Sequence, residues 1–257
     1  VGGTVSRYPP PVTTPPTRPA CWPRTEAEAE AEQQRLRPLV DRRGPGPSVA
    51  DGGTVAGVDV AYDDRRDLVA AAAVVLDVAT LRVVDQATAV SRIAFPYVPG
   101  LLAFRELPAV LDALAGLRTA PGLIVCDGYG IAHPRRLGLA SHLGLLTGIP
   151  CFGVAKTPFT FTHQPPGHHR GDRTALLDGG EDVGRALRTR DGVKPVFVST
   201  GHGVSLDHAC AHTLNLTPRH RLPETTRQAD SLCRRALAAA VRQGNDPSMF
   251  KERGRLC

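Results

Sequence analysis

Three carboxylates stand where carboxylates are costly. Asp59 interrupts the apolar run "TVAGVDVAY" (54–62), Asp127 ends the apolar run "GLIVCD", and Glu106 opens the helical stretch leading into that second run. A lone buried carboxylate is strongly disfavoured, so buried acids are paired with cations or hold a metal. Three acids at the ends of neighbouring elements suggest one divalent ion. Hard oxygen donors with few histidines nearby suit Mg²⁺ or Mn²⁺ better than Zn²⁺. The competing reading makes Asp59 and Glu106 exposed turn residues, and the residues alone leave both readings open.

Other groups crowd behind Asp127 in "LIVCDGYGIAHPRR" (123–136). Gly128 and Gly130 permit close approach of a backbone or a base. A dinucleotide fingerprint is excluded, because His133 stands at the last glycine position of G-x-G-x-x-G. His133, just before Pro134, reads as a helix cap. Arg135 and Arg136 oppose the dipole of a helix start, which favours a phosphate contact over decoration. Lys156 ends a strand and reads as a surface lysine. His208 and His212 have zinc-like i, i+4 spacing, but no HExxH glutamate accompanies them, so they read as a solvated helix face. No G-x-S-x-G elbow supports a serine hydrolase.

The elements that must position these groups follow from pattern. Thr25 with Glu28 predicts a capping box opening a helix in "TEAEAEAEQQRLRPLV". The runs 54–62, "DLVAAAAVVLDV" and "RVVDQATAVSRIAF" predict a three-stranded antiparallel meander. Leu107, Val110, Leu111, Leu114 and Leu117 recur at helical spacing, and Pro108 suits a first turn, which predicts a helix over Glu106–Arg118. "GLIVCD" reads as a buried parallel strand. "HPRRLGLASHLGLLTG" reads as a helix with Pro134 near its start and Gly148 past its end. "PCFGVAK" and "PVFVSTG" are short buried strands. "SLDHACAHTLNL" and "TTRQADSLCRRALAAAVRQ" are the last helices. Residues 158–193 read as loop or a surface hairpin. Antiparallel strands followed by strands alternating with helices make one mixed α/β sheet.

Bulk properties set the class. Among 257 residues, 42% are hydrophobic and 22% charged, an ordinary globular balance. No apolar run reaches membrane-span length, and the Pro- and Thr-rich N-terminus lacks the apolar region of a secretory leader. The expected organisation is a disordered Pro-rich tail (1–24), a catalytic domain (25–243) and a C-terminal tail (244–257). A net charge of +6 leans toward polyanionic partners, nucleic acid first. Six cysteines without a CxxC pair, two of them in apolar runs, predict free thiols in a reducing, cytoplasmic setting.

The blocks "GVDVAY", "PYVPGLLAFRE", "DGYGIAHPRRLGLASHLGLLTGIPCFGVAK" and "KPVFVSTGHGVSL…RLPETTRQAD" together resemble the endonuclease V family of deoxyinosine-directed repair nucleases, over about residues 25–240. The resemblance implies a ribonuclease H-like fold. It also implies Mg²⁺-dependent hydrolysis, with Mn²⁺ as substitute, of the second phosphodiester bond 3′ to a deaminated purine in DNA. It makes Asp59, Glu106 and Asp127 the metal carboxylates, with Asp230 near the metal. His133 and Lys156 match a histidine and a lysine near the scissile phosphate. Pro96, Tyr97, Val98 and Pro99 match a wedge inserted into the duplex. Gly100, Leu102, Gly128 and Gly138 match the pocket for the flipped base. The implied partner is DNA carrying deoxyinosine, acted on by a monomer with no membrane association; the alternatives are inosine in RNA, or lesion binding without turnover. Departures from the family pattern are Tyr129 between the two glycines, Gly203 after His202, and "TPFTFT" after Lys156.

Overall fold

The computed structural model describes residues 22–46 and 53–243. Of the two expected tails, 1–21 and 244–257 lie outside these residues. Trp22 lies inside them and is buried. Helix α1 (Glu26–Leu36) opens with the expected capping box. Strands β1 (Thr54–Asp63), β2 (Leu68–Asp77) and β3 (Val83–Arg92) form the antiparallel meander. Helix α2 (Leu102–Ala115), strand β4 (Leu123–Cys126), helix α3 (Leu139–Thr147) and strand β5 (Cys151–Ala155) follow. Strands β6 (Arg173–Asp178), β7 (Glu181–Leu187) and β8 (Val196–His202) precede helices α4 (Leu206–Asn215) and α5 (Glu224–Gln243).

All eight strands form one sheet in the order β3-β2-β1-β4-β5-β8-β7-β6. β4 runs parallel to β1 and β5 parallel to β4, whereas β8, β7 and β6 add antiparallel strands at the far side. Helices α1, α2 and α3 cover one face, where Phe104, Leu107 and Leu143 pack on Val58, Val69 and Ala71. Helices α4 and α5 cover the other, where Ala209, Ala229 and Cys233 meet Val55, Val74 and Phe152. β2 is apolar along nearly its whole length because both its faces are buried. The four described cysteines, Cys126, Cys151, Cys210 and Cys233, are free and buried. Among the described residues no helix is long and apolar enough to cross a membrane.

Two elements depart from the sequence reading, each for a local reason, and a third, the expected hairpin, proves part of the sheet. Helix α2 begins at Leu102, four residues before the expected start, so Pro108 lies inside it. Proline cannot donate to the carbonyl four residues back. That carbonyl, Phe104 O, instead accepts from the Trp22 indole at 2.8 Å. Helix α3 begins at Leu139, not near Pro134, because Arg136 takes a left-handed φ of 56° and its guanidinium is held by Asp178 and Glu181, each at 2.7 Å. The segment 158–193 holds the β6–β7 hairpin, turned on Gly179 and Gly180 at positive φ. The hairpin belongs to the sheet and buries Leu176, Val183 and Ala186 against Phe161 and Phe197.

Candidate active site

Sheet register brings the first two acids together. Val58 of β1 faces Cys126 of β4 in the last parallel pair. The next residue on each chain segment is an acid, so Asp59, midway along β1, and Asp127, just past the carboxyl end of β4, stand side by side, at the end of the parallel pairing where open α/β sheets place ligands. Helix α5 crosses close over β1: a Cβ on Gly57 would lie 2.3 Å from the Thr225 carbonyl. That approach lets α5 bring Asp230 toward Asp59. From the other face, α2 presents Glu106, 8% exposed, whose Oε1 accepts from the Tyr62 hydroxyl at 3.0 Å.

The electrostatics record this convergence. Burial, then the neighbouring Asp127 charge, pushes the Asp59 carboxyl up to about 7, and Asp230 adds to the push. Burial pushes Glu106 up to about 8; the Tyr62 hydroxyl opposes this, and the Asp59 and Asp127 charges reinforce it. Two cations pair with the acids: Arg234 donates to Asp230 Oδ1 at 2.8 Å, and Lys156, just past β5, donates to Asp127 Oδ2. Burial draws the lysine pKa down, but its bond to Asp127 and the charges of Asp127, Asp59 and Asp230 outweigh that and raise it. Arg221 fixes the lysine backbone by donating to Lys156 O at 2.7 Å.

A divalent cation fits this donor set by its chemistry: the acids are hard oxygen ligands that repel one another. As they stand, no three His, Cys, Asp or Glu side chains among the described residues are grouped around one metal-sized point. Lys156 engages Asp127 and Tyr62 engages Glu106.

Acid repulsion carries a stability consequence. A carboxyl whose folded pKa is raised costs stability above its unfolded value and costs most above its folded value. For Asp59 those values are 3.8 and about 7. In chelator at pH 8, Asp59→Asn is expected to stabilise the fold by about 2 kcal/mol, after allowance for solvent screening, with the gain fading as pH falls toward 4. Urea denaturation at the two pH values measures it.

The wedge segment is anchored at both ends. Tyr97 projects 68% exposed, while Phe95 before it is buried. Phe95 O accepts from Arg105 at 3.2 Å. At the other end Gly100, with φ +82°, offers its carbonyl to three donors: Gln33 Nε2 at 2.9 Å, His133 Nε2 at 2.9 Å and Arg135 Nη2 at 3.1 Å. His133 Nδ1 accepts from the Arg135 N–H at 3.2 Å, which fixes the ring as the Nε2–H tautomer. Burial lowers the His133 pKa to about 4. The ring is thus neutral and both its nitrogens face the backbone, an arrangement that braces the wedge and leaves no free nitrogen for a phosphate. The arginines expected to hold phosphate are engaged too: Arg135 with Glu30, Gln33 and Gly100, Arg136 with the β6–β7 turn.

The pocket residues divide. Leu102 starts α2 beside Gly100. Gly128 has φ +154° and room around it, the nearest atom to a Cβ being Leu139 Cδ2 at 3.6 Å. Gly138 is tightly enclosed: a Cβ there would lie 2.5 Å from Tyr129 O. Its glycine is required by packing. Gly203 adopts φ +69°, a conformation that favours glycine. His208 bonds Ser205, and His212 is buried on Pro45 O at 2.7 Å, so His212 is a core contact and not part of a solvated face.

Gln33 was not singled out by the sequence. It is fully buried and also donates to Leu137 O at 3.1 Å, while its Oε1 accepts from Arg135 Nε. The available signal is its i, i+4, i+7 stripe with Ala29 and Leu36, the other buried residues of α1. Gln33→Ala strands a buried carbonyl and a guanidinium N–H, so about 2–3 kcal/mol of stability is expected to be lost in urea denaturation.

The endonuclease V family model matches residues 36–231. Endonuclease V of Streptomyces avermitilis is 67% identical over 225 residues, covering 87% of this chain and 97% of the relative. A crystal structure of endonuclease V from the same organism superposes with a TM-score of 0.84 at 66% identity, covering 89% of this chain and 100% of that one. Endonuclease V of Ciona intestinalis, solved with a 24mer DNA containing an inosine followed by a ribo-adenosine, superposes with a TM-score of 0.71 at 28% identity, covering 83% and 98%. With the family model spanning most of the folded region and such identity across nearly the whole of a relative, this chain belongs to the endonuclease V family of nucleases.

Proposed function

We propose that this chain is a cytoplasmic, monomeric DNA repair endonuclease that uses Mg²⁺, or Mn²⁺ in its place, to hydrolyse the second phosphodiester bond 3′ to deoxyinosine. The observation that carries the reading is the adjacency of Asp59 and Asp127, with Glu106 close enough to feel both charges, in a chain that also carries an exposed aromatic on a braced loop. Asp59, Glu106, Asp127 and Asp230 would hold the metal. When bound, it supplies charge neutralisation at the phosphate and a bound water of lowered pKa.

The chain's own groups do the rest. Tyr97, flanked by Pro96, Val98 and Pro99, fills the gap left by an extruded base, and Gly100, Leu102 and Gly128 line the pocket receiving it, with Gly138 packed behind them. Gln33, His133 and Arg135 keep the Gly100 carbonyl, and with it the wedge, in place. Lys156 holds the Asp127 carboxylate and places a positive charge where negative charge develops on the phosphate. Tyr62 orients the Glu106 carboxyl.

The test is cleavage of labelled duplexes containing one deoxyinosine, with Mg²⁺ and with chelator, mapped to the nucleotide. A Mg²⁺-dependent nick at the second bond is expected; no nick with either Mg²⁺ or Mn²⁺ would refute the proposal. A second reading, inosine in RNA, is favoured by the Ciona complex, whose DNA carries a ribonucleotide next to inosine. Matched RNA oligonucleotides in the same assay separate the two. Lesion binding without turnover would show as tight inosine-duplex binding with no cut strand.

A further inference from the structure

We propose that Phe159 is a stacking platform for an unpaired nucleobase of the substrate strand, next to the phosphate that is cut. The inference rests on the nuclease reading above and adds a binding residue to it. A chain of rings runs from the core to the surface. Phe197 packs on Phe161 at 5.7 Å between centroids, and Phe161 meets Tyr129 edge-on at 5.5 Å and 74°. Tyr129 then stacks on Phe159 at 6.0 Å and 17°. Phe159, which also meets the His133 ring, is 43% exposed.

Its place connects it with the acids and the lysine. Tyr129 is two residues beyond Asp127, and its hydroxyl donates to Thr157 O, tying it to the segment just after Lys156. Phe159 is three residues beyond that lysine. Tyr129 thus backs one face of the ring and the His133 ring lies tilted against it at 6.3 Å and 38°, yet the ring stays 43% exposed, three residues along the chain from the lysine that holds Asp127. An aromatic ring left open at such a point matches how single-stranded nucleic acid is held: a cation for the phosphate and a flat ring for the adjoining base. The sequence registers the same feature as "TPFTFT", one of its departures from the family pattern.

The experiment uses the full chain and a single-stranded DNA oligonucleotide with one deoxyinosine, at fixed ionic strength with Mg²⁺, in single-turnover cleavage. Phe159→Ala is expected to raise the half-saturating enzyme concentration about tenfold with the saturated rate nearly unchanged. Phe159→Trp is expected to restore it and to show fluorescence quenching on binding, since the native Trp22 is buried. Phe159→Leu keeps apolar packing on Tyr129 without a π-face and is expected to behave like alanine while matching wild-type stability in urea. Unchanged half-saturation in Phe159→Ala, or rescue by leucine equal to that by tryptophan, overturns the platform alone. A wild-type chain that cuts no inosine-containing strand overturns the nuclease reading, and the platform with it.

Discussion

Asp127→Asn is expected to lower strand nicking by about 10³-fold while binding of an inosine-containing duplex changes by less than about threefold. The rate loss corresponds to about 4 kcal/mol of transition-state stabilisation, the scale of charge neutralisation at a phosphoryl centre. Asparagine keeps the shape of the side chain but removes the anion that, with Asp59 alongside, makes this sheet end a hard-oxygen site. Binding should persist for a specific reason. Asp127 holds the Lys156 ammonium, so removing its charge releases a cation to face the substrate phosphates. Affinity should therefore hold or tighten, and any tightening should weaken with added salt. Nicking at saturating duplex and equilibrium binding at two salt concentrations give the two numbers. Joint loss of both, with a lowered denaturation midpoint, would mean that Asp127 is needed for the fold and not for the reaction.

What the sequence revealed of this site follows from how each group is presented. Asp59 and Asp127 were legible because each breaks an apolar strand, and a two-residue alternation or a fully buried run leaves no ordinary reason for a carboxylate there. Glu106 was legible only through its neighbours, since α2 begins earlier than Pro108 suggested and the carbonyl freed by that proline is satisfied from Trp22, which is distant in sequence. The meander and the buried strands were legible because β-branched runs bounded by turn residues define them. Tertiary bonds were not legible. The 133–138 stretch reads as helix by pattern, yet Gly100, Asp178 and Glu181 capture its histidine and arginines one by one.

The basic charge misleads in the same way. Arg105, Arg136, Arg188 and Arg221 are largely committed to carbonyls and acids inside the fold, so net charge overstates the cations available to a polyanion. Composition counts charges and says nothing of their partners. A polar helix such as α1 likewise hides its one structural glutamine among equivalent-looking neighbours, and only the packed face separates Gln33 from Gln34.

Tyr97→Ala is expected to reduce cleavage of an inosine-containing duplex by about 10- to 100-fold while changing cleavage of the same strand, unpaired, by less than about threefold. Extruding a base from a duplex costs a few kcal/mol of stacking and pairing, and a ring inserted in its place recovers part of that cost. An unpaired strand has little of that cost to recover. The substitution is clean because Tyr97 is 68% exposed and nothing in the core rests on its ring. The loop that carries it is held through Phe95 O and Gly100 O, backbone atoms that the change leaves in place. Tyr97→Phe should retain activity, since a wedge needs a flat ring and not a hydroxyl. The ratio of duplex to single-strand cleavage thus isolates the wedge from the chemistry: Asp127→Asn depresses both substrates together, whereas Tyr97→Ala moves only one. Equal losses on both substrates would place Tyr97 with the groups that hold the strand, beside Phe159, and would remove base extrusion as the step it serves.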